Sequence, residues 1–94
     1  RLELESVAFS PSVVVESTAE TLAHRAEAKG LELACAVGSD VPLTIIGDPT
    51  RVQQALVNLV GNAIKFTEQG QVTIRTRVEK RDGDEVVLRF EVTD

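Results

Sequence analysis

Five polar residues, Arg51, Gln54, Asn58, Asn62 and Lys65, follow one another at spacings of three and four. At about 100° per residue such spacings gather side chains on one narrow arc of a helix, with Gly61 at its edge. Two of the five are Asn, a poor residue in mid-helix because its amide competes with the backbone. An Asn amide can offer its carbonyl oxygen to a hard cation and its NH₂ to a phosphate oxygen. Mg²⁺ on a nucleotide commonly takes only one or two protein oxygens, the rest being phosphates and water. Lys65, one turn on, would add a point charge for phosphates. Gly61 would leave room for a ligand to come close. The wheel alone is equally compatible with a solvated helix face carrying two incidental Asn.

Such a face needs a helix and a layer behind it. Gly47-Asp48-Pro49 opens the helix, with Asp48 as cap and Pro49 at the first helical position, and the pattern runs to about Phe66. Ala55, Leu56, Leu59, Val60, Ala63 and Ile64 share the other arc and are expected to pack on a sheet. Upstream, Ser10-Pro11 starts a first helix with Val15, Ala19, Leu22 and Ala26 as its buried stripe and Gly30 as its C-terminal cap. Phe9 is placed to staple onto Val14. A short edge strand is expected near Ser6–Phe9, after a lead-in containing Leu2 and Leu4. Leu31, Leu33, Cys35 and Val37 alternate with other residues as a strand with one buried face. Gly38 to Pro42 reads as a turn and Leu43–Ile46 as a second short strand.

After the exit Glu68-Gln69-Gly70, two alternating runs form a hairpin. Val72, Ile74, Thr76 and Val78 mark the first strand, and Val86, Leu88, Phe90 and Val92 the second, with Asp82-Gly83 as the turn signal. The expected fold class is an α/β two-layer sandwich, a mixed sheet with helices on one face and water on the other.

The string GDPTR, then NLVGNAIKFT, then GQVTI resembles the N box region of sensor histidine kinases. These belong to an ATPase superfamily shared with gyrase, heat-shock chaperones and mismatch-repair ATPases. LELE, RAEAKGLEL and the closing EVTD extend the likeness over essentially the whole chain, and it looks nearest to hybrid kinases that carry a receiver domain. The resemblance implies the front part of an ATP-binding domain over residues 1–94. It assigns Asn62 as the Mg²⁺ ligand, Asn58 and Lys65 to the phosphates, and Phe66 to a place beside the nucleotide. A plain core Phe is the alternative at Phe66. Asp94 would accept a hydrogen bond from the adenine amino group. Its phase supports this independently: it continues Val86, Leu88, Phe90 and Val92 towards the helix-covered side, where a lone carboxylate needs a partner. A solvated chain end is the alternative there.

The ATPase relatives carry a Glu four residues before the metal-binding Asn, as general base for water. Asn58 occupies that place, and its amide cannot take a proton at neutral pH. The implied reaction is transfer of the ATP γ-phosphoryl to a histidine on a separate dimerisation domain. A response-regulator receiver domain is the implied further partner. His24 lacks the acidic, Arg and Pro context of the family's phosphorylated histidine and reads as a surface residue. The rival readings are a hydrolytic ATPase of the same superfamily and an interaction fragment that binds no nucleotide.

Composition narrows the field. Net charge is −5 and the basic residues do not cluster or interleave with aromatics, which argues against a nucleic-acid partner. Cys35, the only cysteine, excludes an internal disulfide and reads as a small core residue. No apolar run approaches the roughly 20 residues of a membrane span. The resemblance implies a cytoplasmic domain, and leaves open whether its parent is anchored in the inner membrane. The glycine-rich boxes and nucleotide-covering lid of the family would begin after Asp94. A domain cut there is expected to expose an apolar edge prone to self-association.

Overall fold

The computed structural model describes residues 3–94, so the expectation for Leu2 lies outside the described residues. Both helices start by the same local chemistry. The Ser10 Oγ accepts from the Val13 N–H at 3.3 Å and opens α1 (Pro11–Ala28). The Asp48 Oδ1 accepts from the Arg51 N–H at 3.0 Å and opens α2 (Pro49–Phe66). In each case the cap satisfies an orphan N–H and proline follows at the first helical position.

The end of α1 is also set locally. The Leu31 N–H donates to the Ala26 carbonyl and the Gly30 N–H to the Glu27 carbonyl, each at 2.9 Å. This is a Schellman motif, and it needs the positive φ of 70° that Gly30 supplies. Ala26 and Leu31, which flank the turn, are both buried.

The strands are β1 (Val7–Phe9), β2 (Glu32–Val37), β3 (Ile45–Gly47), β4 (Gln71–Asp82) and β5 (Glu85–Thr93). They divide into two sheets. β1 and β3 make a short antiparallel ribbon, Val7 opposite Gly47 and Phe9 opposite Ile45. The other three form a mixed sheet in the order β2-β4-β5, with β2 parallel and β5 antiparallel to the central β4. A parallel pair requires a crossover, and the segment carrying β3 and α2 provides it. The turn between β4 and β5 is Gly83–Asp84, one residue later than the Asp82-Gly83 signal suggests. Asp82 pairs with Glu85, and φ is positive only at Gly83, the arrangement of a type II′ turn.

Helices and sheet meet in one apolar cluster: Val14, Val15, Leu22 and Ala26 of α1, Leu56, Val60 and Ile64 of α2, and Leu31, Val72 and Ile74 from the sheet side. Phe9 packs against it from the ribbon. Three expectations need correcting. Ala55 and Leu59 are exposed, so the buried stripe of α2 is narrower than its apolar arc and centres on Leu56, Val60 and Ile64. Cys35 is exposed, not core. Its phase is that of Ile74, its neighbour in register, yet β2 is an edge strand. Cover fades along it, from buried Leu31 through half-buried Leu33 to Cys35. Partial burial, then the Glu16 carboxylate, raise the Cys35 thiol pKa, which keeps it protonated.

Candidate functional site

The two ends of α2 are held by side chains from elsewhere. At the N-terminus, Asp48 accepts from the Glu5 N–H through Oδ2 at 3.0 Å, while the Thr50 hydroxyl donates to Glu5 Oε1 at 2.7 Å. The backbone N–H of Glu5, then that of Arg51, hold the Asp48 carboxyl below its ordinary value. A carboxylate here also suits the positive end of the helix dipole. At the C-terminus, the Lys29 ammonium donates to the carbonyls of Ile64, at 2.7 Å, and Lys65, at 3.0 Å. Those are orphan acceptors of the last turn, and a cation is favoured there. Thr67 completes the end as C-cap, its N–H donating to the Ala63 carbonyl at 3.0 Å.

Beside this clamped end lies an open cleft of about 270 Å³ between α2 and the end of β5. Asn62, Phe66 and Asp94 all line it, with Leu59, Thr67 and Val92. Three of the five residues singled out from the sequence therefore meet, although Asp94 is 32 residues from Asn62 in the chain. Phe66 is 73% exposed, which removes the core-Phe alternative. Its ring is available as an apolar wall. Asp94 is exposed but not free: the Thr67 Oγ1 donates to its Oδ2 at 3.1 Å. The Asn62 side chain makes no hydrogen bond to another described residue, so its amide is available to a ligand.

Lys65 and Asn58 stand apart from that cleft. The Lys65 ammonium sits over the Phe66 ring, 5.4 Å from its centroid, within range of a cation–π contact. Asn58 lies two turns before Lys65 and lines a different opening of about 550 Å³ between the helices, with Thr21, Thr50, Gln53, Gln54 and Val57. Gly61 is buried, and the space beside it is taken by Arg25 of α1. The guanidinium nitrogens lie 3.3 and 3.4 Å from where a Cβ would stand. The room at Gly61 thus admits a neighbouring side chain, whereas the sequence suggested a ligand.

Two residues that support the site escaped the sequence reading. Lys29 was not singled out, since nothing local marks a lysine at the end of one helix as a partner for another. Thr67 closes the string NLVGNAIKFT but was given no role. A hint existed for Thr67, since a threonine directly after the last helical residue is at a capping position. Its partner, however, is set by the fold.

No group of three or more His, Cys, Asp or Glu among the described residues could hold a metal. A divalent ion at Asn62 would therefore need most of its ligands from a bound phosphate chain. The donor set fits that: one neutral, hard amide oxygen, open to the cleft.

Comparison with known proteins fits this geometry. The profile of the histidine kinase-, DNA gyrase B- and HSP90-like ATPases matches residues 47–94, from the end of β3 to Asp94. The chain belongs to that family. Sensor histidine kinase GacS of Pseudomonas protegens is 43% identical over the whole chain, which covers 10% of that protein. Signal transduction histidine-protein kinase BarA of Escherichia coli is 47% identical over 98% of the chain, again 10% of the relative. The chain thus spans about a tenth of the length of the curated relatives it matches. Full-length ShkA, solved in complex with AMPPNP, superposes over 97% of this chain and 19% of its own, with a TM-score of 0.82 and 37% identity.

Proposed function

We propose that this chain is the front part of the ATP-binding domain of a hybrid-type sensor histidine kinase, and that the cleft beside the end of α2 receives the nucleotide. The observation that carries the reading is the meeting of Asn62, Phe66 and Asp94 on one open surface, with the carboxylate already oriented. Asn62 offers its amide oxygen to Mg²⁺. Lys65, over the Phe66 ring, and Asn58, which opens onto the neighbouring space between the helices, are assigned to the phosphate chain, which would have to extend from the cleft along α2 to reach Asn58. Phe66 gives the nucleotide an apolar wall, and Asp94 accepts from the amino group of adenine. Mg²⁺ held there would supply positive charge to the phosphates.

Asn58 occupies the place of the superfamily's water-activating Glu, and an amide cannot act as general base. Among the described residues, no carboxylate lines the cleft except Asp94. The reading is therefore phosphoryl transfer to a histidine of a dimerisation domain, then relay to a receiver domain. Catalysis rests on positioning and charge stabilisation. Such a domain works in the cytoplasm, and no helix of the described residues is long and apolar enough to cross a membrane.

The test is calorimetric titration of Mg-ATP into the longer protein that contains this chain, alongside autophosphorylation with labelled ATP. Wild type should bind and form an acid-labile phosphohistidine, and Asn62→Ala should weaken the binding and lose the phosphohistidine. Steady release of inorganic phosphate without a phosphohistidine would instead mean a hydrolytic ATPase.

A further inference from the structure

Thr67 is the best-placed side chain that the reading above leaves unused. It is 6% exposed, so its hydroxyl is screened from water. Its backbone closes α2, with the N–H given to Ala63 and an extended conformation at φ −95° and ψ 125°. The chain leaves the helix at this residue, and Asp94 follows the end of β5. There the hydroxyl donates its one proton to Asp94 Oδ2 at 3.1 Å, joining residues 27 apart in sequence. A buried hydroxyl without a partner is costly, so this proton has a strong reason to stay where it is.

The consequence concerns how Asp94 can read a base. An ionised carboxylate only accepts hydrogen bonds. With Oδ2 engaged by Thr67, Oδ1 is left as a free acceptor on a residue that lines the cleft with Asn62 and Phe66. Adenine presents an amino donor at its sixth position, and guanine presents a carbonyl acceptor there. A carboxylate held as an acceptor favours the first and repels the second. Without the Thr67 hydroxyl the exposed Asp94 could rotate, or draw a water to bridge it to either base. We infer that Thr67 is a positioning residue for base selection, holding the Asp94 carboxylate so that the cleft takes adenine nucleotides over guanine nucleotides. This rests on the proposed role of Asp94 and adds the group that makes that role selective.

The test uses the longer protein containing this chain, with four variants: Thr67→Val, Thr67→Ser, Asp94→Asn and the double variant Thr67→Val/Asp94→Asn. ATP and GTP are titrated into each by calorimetry with magnesium present, and thermal melting is followed in parallel. Valine keeps the shape of threonine and removes the donor, while serine keeps the donor. The expected result is a loss of about tenfold in ATP affinity for Thr67→Val. GTP affinity should change little, so the ATP-to-GTP ratio falls, and Thr67→Ser should restore it. In the Asp94→Asn background, Thr67→Val should cost nothing further. An unchanged ATP-to-GTP ratio in Thr67→Val would overturn the inference, as would an equal loss in the Asp94→Asn background. If Asp94→Asn itself leaves ATP affinity unaltered, the nucleotide reading at Asp94 fails, and the inference with it. If Asp94→Asn weakens ATP and Thr67→Val does not, only the inference falls.

Discussion

The two helices are the same length, 18 residues, and both begin with a capping side chain followed by proline. Both bury one stripe in the same core. Their outer faces differ. α1 carries Glu16, Glu20, His24 and Glu27, an ordinary solvated mixture. α2 has no acidic residue between Pro49 and Phe66, and its outward positions hold Asn58, Asn62 and Lys65. The ends differ as well. α1 is finished by its own backbone in a Schellman turn, whereas α2 is held by Asp48 against Glu5, by Lys29 from the end of α1, and by Thr67. One helix is a strut. The other has its outer face cleared of negative charge and both its ends fixed in place, which suits a surface that must present small polar groups to an anionic ligand.

Four measurements would break or sharpen this contrast. The largest effect should come from the part the helices share. Ile64 is 2% exposed, and Ile64→Ala should cost about 2–5 kcal/mol by denaturant titration. A loss far below that would mean the core does not hold α2 as described. Next come the outer faces. Asn62→Ala should lower Mg-ATP affinity about 10- to 100-fold without moving the melting temperature, the usual range for a disturbed metal site. His24→Ala on α1 should change neither, and an effect at His24 would erase the distinction between the faces.

The third concerns the ends. Lys29→Met keeps the aliphatic stem and removes both hydrogen bonds to the last turn of α2. It should cost about 1 kcal/mol and loosen amide exchange near Lys65 to Thr67 more than within α1. Uniform loosening would argue against a local clamp. The smallest effect is that of pH at Asp48. Its folded-state pKa is depressed below the ordinary 3.8, first by the Glu5 N–H. The stability it contributes is therefore present above that value and is lost as pH falls through the folded pKa. Asparagine caps equally well but does not titrate. Asp48→Asn should therefore flatten the dependence of melting temperature on pH below about pH 4. An unchanged acid limb would show that other carboxylates set it.

Much of the architecture was legible from local pattern. Ser10-Pro11 and Asp48-Pro49 announce helix starts, Gly30 announces an end, and the alternation from Val72 to Val92 announces a hairpin. These signals work because capping and periodicity act over a few residues. The Asn58, Asn62 and Lys65 stripe was visible for the same reason. What misled was burial. Cys35 and Leu59 have the right phase for the core and are exposed, since phase says which way a side chain points and not whether anything lies over it.

The sequence by itself determined where α2 begins and ends and which residues share its outer face. Only the tertiary structure decided that Asn62 and Phe66 share a cleft with Asp94, while Asn58 opens onto another. It also decided that Arg25 fills the space at Gly61, that Lys29 clamps the helix end, and that the Thr67 hydroxyl meets Asp94. The physical reason is range. Helical spacing and caps are fixed by neighbours in the chain, but a hydrogen bond between a helix end and a strand end exists only after sheet and helices have packed together.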